Sequence, residues 1–528
     1  MAVDRHPRGP RATITRRRFL ERLGQTGGSV AVHGAMRSLG LAAAPALEWR
    51  PPTGRAPNGT RVIVLGAGIA GLTAAYELQK LGYECEVIDA RPRTGGRCVT
   101  IRRGQVSEEA GIPPQRARFD PGLYLNAGPA RIPHHHTTTL SYCRELGVAI
   151  EPFCSVNEAA YVHQSSAPGT QRVRLREVRA DWRGYTSELL AKAVATDSLD
   201  RPVTREDRER LLEWLRQEGG LSAELRYVGS ARRGYQTAPG FGTTAGVVGD
   251  PLALEDLIKT SFGKYLATEL AMQTPMFQIA GGTDHLARAL AARVPHITLG
   301  AEVKAIEQPA GRVRVRYTTA TGASRETEGA HCISTIPLTL LRDVQLDATP
   351  ELRDAIGSVS YASAAKIGLQ FSRRFWEEDD GIFGGITRTD QDITQILYPS
   401  TGYLSKKGVL VGYYLTGQAA GPMGRLAPAE RLQKALDQGA RIHPQYLETF
   451  ENAFSIAWQN VGYSKGGWAQ FTDAQRKNEY LTLLRPDRGL YLAGDFTTYL
   501  SGWMAGAMES ARMVVTAIHD RAMRSTTA

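Results

Sequence analysis

The chain has 528 residues, 42% of them hydrophobic and 22% charged, with a formal net charge of +11. That length exceeds one ordinary hydrophobic core and predicts two or more domains, and no apolar run approaches the ~18 residues that span a bilayer. The charge is local: residues 1–60 hold ten arginines against Asp4, Glu21 and Glu48, a net +7 that leaves +4 for the remainder, so it gives no reason to expect a nucleic-acid partner.

Thr15-Arg16-Arg17-Arg18-Phe19-Leu20 fits the twin-arginine export pattern. A mildly apolar stretch follows, interrupted by His33 and Arg37, and ends at Ala44-Pro45-Ala46 with a small-x-small cleavage site. Residues 1–46 are therefore expected to be a leader that exports the protein to the periplasm or beyond. The alternative is an uncleaved basic arm on a cytoplasmic protein. Pro51, Pro52, Gly54, Pro57 and Gly59 mark 47–60 as a linker.

The first strand is expected at Arg61-Val-Ile-Val-Leu65, followed by Gly66-Ala-Gly68-Ile-Ala70-Gly71 and a helix. Gly66 and Gly68 let the backbone turn tightly and approach a pyrophosphate without a Cβ in the way, and Gly71 lets the helix lie close to the sheet. The helix N-terminus favours negative charge. A second strand, Cys85–Asp89, ends on a carboxylate spaced to accept ribose hydroxyls. The block reads as a dinucleotide site. Ala90, Arg91 and then Gly95-Gly96-Arg97-Cys-Val-Thr100 follow at once, and a second glycine pair with basic residues suits a long cofactor.

Gly95, Gly96, Arg97 and Thr100 resemble the GGRxxT segment of the flavin-dependent amine oxidase superfamily. The C-terminal Gly489–Asp495 and Gly502-Trp503-Met504-Ala-Gly506 resemble the part of that family that covers the flavin. The resemblance implies FAD, with Arg97 near the flavin or diphosphate. It implies that Gly494, Asp495, Gly502, Trp503 and Met504 contact the cofactor, with Asp495 where the family usually has Glu. It implies an adenine contact through the backbone of Val303. No cysteine follows Cys332, and the family branch that attaches its flavin covalently does so through a C-terminal cysteine, so the FAD is expected to be non-covalent.

The implied fold class is α/β: a discontinuous Rossmann-like FAD-binding domain with an inserted α+β substrate-binding domain and a helical subdomain. Its expected pieces are 61–131, 276–336 and 456–522 for FAD, with 132–275 and 337–455 for substrate. Within these, residues 139–147 predict a short helix capped by Gly147. Thr204-Arg-Glu-Asp207 opens a helix with Leu211, Trp214 and Leu215 on one face and Gly219-Gly220 as its stop. Residues 234–250 form a Gly-rich surface loop, alternatively a flap over a substrate channel. Phe277–Leu286 opens another helix. Ile297–Leu299, Glu302–Ile306, Val313–Tyr317 and Cys332–Ile336 read as strands.

Tyr124-Leu-Asn126-Ala-Gly128-Pro129-Ala130-Arg131-Ile132-Pro133 is similar to the NxGPxRIP segment of the L-amino acid oxidase branch. There the Arg grips the substrate carboxylate, which places Arg131 in that role. Gly128, Pro129, Ala130 and Arg131 itself are then also expected beside the cofactor. A guanidinium suits the task because its planar fork donates two parallel hydrogen bonds and stays charged at working pH. The resemblance supplies a second carboxylate partner from the strand Gly408–Tyr414: Tyr413 aligns best, and Tyr414 is the rival because one residue of slip reverses the face. It places Lys366 near flavin N5, holding a water and promoting reaction with oxygen, Trp503 as an aromatic wall beside the flavin, and Trp468 in the side-chain pocket, where it favours apolar or aromatic substrates. His134, His135 and His136 are explained by a helix start rather than a metal site. The five cysteines show no metal spacing.

The expected function is therefore FAD-dependent oxidation of an L-amino acid by O2 to a 2-oxo acid, ammonia and hydrogen peroxide. The partners are the small-molecule substrate and O2, with room left for a homodimer. The alternatives are an amide-forming amino acid 2-monooxygenase, a monoamine or polyamine oxidase, and a non-catalytic flavoprotein.

Overall fold

The protein is described from a computed structural model, in which residues 49–57, 59–165, 172–240, 245–259, 272 and 276–527 are described. The expected leader lies outside them, as do residues 241–244 of the Gly-rich stretch and most of 260–275. Thr53–Ala528 segregate as one unit; of the other, Met1–Pro52, only residues 49–52 are described.

The strand Arg61–Leu65 is the middle of a five-stranded sheet, parallel throughout. The order is Ile297–Leu299, Glu84–Asp89, Arg61–Leu65, His331–Ser334, Leu490–Leu492. Val62 to Leu65 are fully buried, as expected of a parallel sheet covered on both faces. Helices Ile69–Lys80 and Met504–Thr527 pack on one face, with Leu72, Leu78, Met508 and Val515 in the core between them. Helix Pro350–Ser358 and a β-meander that includes Glu302–Glu307 and Val313–Thr318 cover the other. Three stretches far apart in sequence thus build one dinucleotide-type domain.

The second domain rests on a seven-stranded sheet in the order Phe450–Ala457, Ala364–Phe371, Gly408–Thr416, Gln395–Leu397, Ile386–Thr389, Tyr161–His163, Arg172–Arg174. All its pairs are antiparallel except Ile386–Thr389 with Tyr161–His163. Phe371, Phe375, Trp376 and Tyr446 fill the core behind it. A fully buried bidentate pair, Arg431 with Glu109 at 2.8–2.9 Å, ties the first stretch of the chain to this domain. Breaking such a pair by losing one partner costs about 3–5 kcal/mol.

A third, three-stranded sheet joins Ile132–Pro133, Met276–Ile279 and Ile150–Pro152. Here the sequence reading needs correction: Met276–Ile279 is a strand, and the helix begins only at Asp284. Four residues bounded by a Gly pair fit either state by periodicity, and pairing with two strands decided it.

The helix caps were legible. Thr204 caps Arg205–Gly219 by accepting from Asp207 N at 3.1 Å, and Gly220 closes it in the left-handed region at φ +62°. Gly147 plays the same part after Thr137–Glu145. Trp214 was expected on the buried face with Leu215; it is 55% exposed, and Leu215 is the residue that packs. On a helix, positions one apart point about 100° away from each other, so the two cannot share one narrow stripe.

Candidate active site

Two adjoining cavities lie where the two domains meet. The first, about 480 Å³, runs from the glycine turn to Trp503. The second, about 800 Å³, is lined by one face of the seven-stranded sheet and one face of the three-stranded sheet. Gly128, Pro129, Lys366, Tyr414, Trp468, Gly502 and Trp503 line both.

The first cavity is built on backbone that tolerates no side chain. A Cβ on Gly66, at φ +107°, would stand 2.3 Å from Thr335 Oγ1, and one on Gly71 would stand 1.9 Å from Gly66 O. A Cβ on Gly128 would meet Arg97 O at 1.9 Å. Gly96 lies against Gly68, with its added Cβ 3.2 Å from Gly68 Cα, so the two glycine turns form a single cradle. Asp89, buried at the strand end, braces it: Oδ2 accepts from Ala67 N and Oδ1 from Arg91 N, both at 2.7 Å. Each oxygen keeps a lone pair for a ribose hydroxyl. Helices Ile69–Lys80 and Met504–Thr527 open at this cavity, with Ile69, Ala70 and Met504 in its wall.

At the far end Asp495 links two walls. Its Oδ1 accepts from Arg97 Nη2 at 2.6 Å and its Oδ2 from Gly502 N at 2.9 Å. Arg97 also donates to the Gly467 carbonyl. Burial pulls the Arg97 guanidinium down, but Asp495 and Tyr361 outweigh it and the net shift is upward, so the cation is held firmly. Arg91 donates to Tyr463 O and Ser464 Oγ at 2.6 and 2.7 Å. Ala90, Val303, Gly494 and Trp503 complete the wall. Gly71 does not line it and acts through packing.

These residues fit FAD. An elongated cavity with a glycine cradle, two helix N-termini and a carboxylate at the adenosine end suits a diphosphate between two ring systems. Trp458, whose Nε1 donates to Ala127 O at 3.0 Å, and Thr335 also line the cavity. The sequence reading missed both. Thr335 follows directly on a strand paired with the glycine-turn strand, and that pairing has no local signature.

The second cavity places Arg131 beside Trp503, with the guanidinium carbon 5.9 Å from the ring centre. Arg131 Nη2 approaches Met272 Sδ at 3.3 Å, and Nε is shielded from water with no hydrogen-bond partner. Among the described residues no carboxylate pairs with it. Burial lowers its pKa, and the nearby Tyr414 opposes the shift only in part. A buried guanidinium without a counter-ion is costly and marks a place for an anionic ligand.

Ala130 and Arg131 were expected among the cofactor contacts as well; they line the second cavity only. The chain leaves the first cavity at Pro129 to pair as Ile132–Pro133 with Met276–Ile279.

Lys366 sits inside a strand whose eight residues are all buried. Its ammonium donates to the carbonyls of Gly128 and Asn126, the latter at 3.2 Å, and lies 4.6 Å from the Tyr414 ring centre. Burial, reinforced by the charge of Arg131, pushes its pKa down to about 7.

Tyr413 is corrected to Tyr414. Tyr413 is fully buried on the opposite side of the sheet, among the charges of Arg431 and Glu109. Tyr414 lines both cavities. The cause is a bulge: Gly368 pairs with Val411 and Ile367 with Tyr413, leaving Gly412 opposite nothing. Val409 and Val411 face the cavity, then the extra residue shifts the alternation so that Tyr414 and Thr416 face it. A Cβ on Gly412 would stand 2.5 Å from Leu369 Cδ1, so a larger residue there would have to displace the buried Leu369 side chain.

Trp468 also stands in both walls; a Cβ on Gly502 would come within 3.1 Å of its Cγ. His136 is the N-cap of helix Thr137–Glu145 and packs edge-on to Trp503 at 4.9 Å. Burial drops its pKa to about 4. Among the described residues no three His, Cys, Asp or Glu side chains gather as a metal site.

A parallel dinucleotide-type sheet with a glycine cradle, opening onto a tryptophan-walled cavity that Arg131 lines, defines a two-domain flavoprotein. Comparison with known proteins agrees. Residues 69–519 match the family described as flavin containing amine oxidoreductase, and the chain belongs to it. Its cofactor is FAD. The flavin-dependent L-tryptophan oxidase RebO of Lentzea aerocolonigenes is 29% identical over 495 residues, 87% of this chain and 98% of that one. The L-amino-acid oxidase of Siganus canaliculatus is 27% identical over 474 residues, 88% of this chain and 86% of that one. Among solved structures, cyclohexylamine oxidase from Brevibacterium oxydans IH-35A shares the fold with a TM-score of 0.59 at 18% identity, covering 88% of this chain and 99% of that one.

Proposed function

We propose that this protein is an L-amino acid oxidase. The observation that supports it most directly is the guanidinium of Arg131, beside Trp503 and without a carboxylate partner among the described residues. A simple amine gives such a group nothing to bind, whereas an α-carboxylate satisfies it with two parallel charge-assisted hydrogen bonds. The relatives named L-amino-acid oxidase and L-tryptophan oxidase support the same reading.

Bound FAD supplies the two-electron acceptor, so that an L-amino acid, water and O2 become a 2-oxo acid, ammonia and hydrogen peroxide. Arg131 and the Tyr414 hydroxyl hold the carboxylate and fix which C–H faces the cofactor. Trp468 and Trp503 offer apolar faces to the substrate's carbon skeleton. Two donors of Lys366 go to the Asn126 and Gly128 carbonyls, and a third N–H remains to hold a water or oxygen species. Its positive charge stabilises the anionic character that develops on reduced oxygen.

The test is anaerobic mixing of the yellow holoenzyme with each of the twenty L-amino acids, their D-forms and simple amines. Bleaching confined to L-amino acids is expected, with a 2-oxo acid as product in air. Bleaching by amines alone, or by nothing, would end the reading; an amide product would make the enzyme a monooxygenase.

For location, the Arg16-Arg17 pattern supports export through the twin-arginine route. Replacing both with Lys should leave the enzyme inside the cell.

A further inference from the structure

We propose that Glu151, held by Gln278, reads a cationic group at the end of the substrate side chain, so that this enzyme favours basic L-amino acids. The inference rests on the oxidase reading above and names its substrate class.

Glu151 is the one carboxylate among the described residues that line the second cavity. Among the described residues it makes no ion pair; its Oε1 accepts from Gln278 Nε2 at 3.0 Å. The other charges in that wall are engaged elsewhere or at the reacting end. Arg374 pairs with Glu377, Lys407 with Asp120 and Glu451, and Arg388 donates to Gln395 Oε1 at 2.5 Å. Among the described residues the Gln278 amide is the only hydrogen-bond partner of the Glu151 side chain, which leaves Oε2 open to a cation.

The sheet register relates this carboxylate to the guanidinium. Ile132 stands opposite Phe277, and Glu151 opposite Gln278. Arg131 immediately precedes the first strand, and continuing that register by one step brings it level with Gln278 and Glu151. Residues directly opposite in an antiparallel sheet share a face, and Arg131, Gln278 and Glu151 all line the cavity. Two strand spacings make that row about 10 Å long between its outer α-carbons. One end of the row attracts an α-carboxylate and the other a cation. A lysine spans such a gap with its four-carbon stem, and Phe153, on the face of Glu151, offers that stem an apolar surface.

The experiment compares L-lysine with L-norleucine, which has the same carbon chain without the ammonium, on wild-type holoenzyme and on Glu151→Gln. Wild type should favour lysine in kcat/KM by at least about tenfold. Glu151→Gln should erase that preference while norleucine turnover and flavin content stay as they were. Equal use of the two by wild type, a preference for L-glutamate, or an equal loss on both substrates in the variant would each overturn the proposal. Should the variant fail to bind flavin, the wild-type ratio decides. Failure of the oxidase reading looks different: norleucine and every other L-amino acid would leave the flavin yellow.

Discussion

The Lys366 ammonium lies 4.6 Å from the centre of the Tyr414 ring, and the unpaired residue Gly412 puts the ring there. Without that extra residue the alternation set by Val409 and Val411 would bring Tyr413 into the cavity.

Tyr414→Phe and Tyr413→Phe should therefore behave differently. Loss of the Tyr414 hydroxyl is expected to cost about 1–2 kcal/mol of transition-state stabilisation, roughly five- to thirtyfold in kcat/KM, with FAD retained. Loss of the Tyr413 hydroxyl should leave kinetics unchanged and alter thermal stability by less than about 1 kcal/mol. Steady-state kinetics and a melting curve for each variant check this, and equal kinetic defects would reject the assignment.

Arg131→Met should lower kcat/KM on L-amino acids by about tenfold to 150-fold, corresponding to roughly 1.5–3 kcal/mol. Flavin content should not change, since the side chain lines only the substrate cavity. Because the cation is shielded and has no counter-ion among the described residues, its removal should raise the melting temperature of the substrate-free enzyme. A variant both less active and less stable would show that the guanidinium has a structural partner.

Lys366 gives a pH signature. Its pKa falls from 10.5 to about 7 on folding, through burial first and the Arg131 charge second. Below about 7 the folded protein must keep a buried cation, so burial costs the most there. Between about 7 and 10.5 the unfolded chain binds a proton that the folded chain does not, and the cost shrinks as pH rises. Lys366→Met should therefore gain more stability, relative to wild type, at pH 6 than at pH 10. The same variant should slow flavin reoxidation by about 100-fold or more at pH 6. In wild type that step should slow as pH rises through about 7. Stopped-flow reoxidation across that range tests the sign, and a rate that climbs with pH would assign the work to another group.

Asp495→Asn should loosen FAD. The change leaves the shape intact but weakens the hold on both Arg97 and the Gly502 amide, which Asp495 joins at 2.6 and 2.9 Å. A loss of about tenfold or more in FAD affinity is expected for a charged hydrogen-bond partner. Fluorescence titration of apoprotein measures it; unchanged affinity would mean the link is dispensable.

The cofactor half of the site was readable because its physics is local. A glycine that must turn at φ +107° and one whose added Cβ would stand 1.9 Å from a carbonyl oxygen leave the same mark in any sequence, in Gly66 and Gly71 as elsewhere. Caps such as Thr204 and Gly220 are local in the same way. Arg131 is named through the resemblance of its segment to NxGPxRIP, and it lines the second cavity. The residues that come from pairing could not be named in that way. Thr335 and Trp458 reach the cavity through strands and loops far away in the chain, and Met276–Ile279 is a strand only because two partners flank it.

The amino-acid sequence on its own specified a dinucleotide turn, a flavin cradle split between the two ends of the chain, and an arginine suited to an anionic substrate. The turn follows from steric limits within a few neighbouring residues; the split cradle and the arginine follow from the resemblance of their segments to the amine oxidase superfamily. Tertiary structure decided that Tyr414 rather than Tyr413 faces Lys366, that Arg131 has no carboxylate partner among the described residues, and that Glu151 lines the same cavity as Arg131. Those outcomes depend on register, and register is fixed by which strands meet, a property no single segment contains.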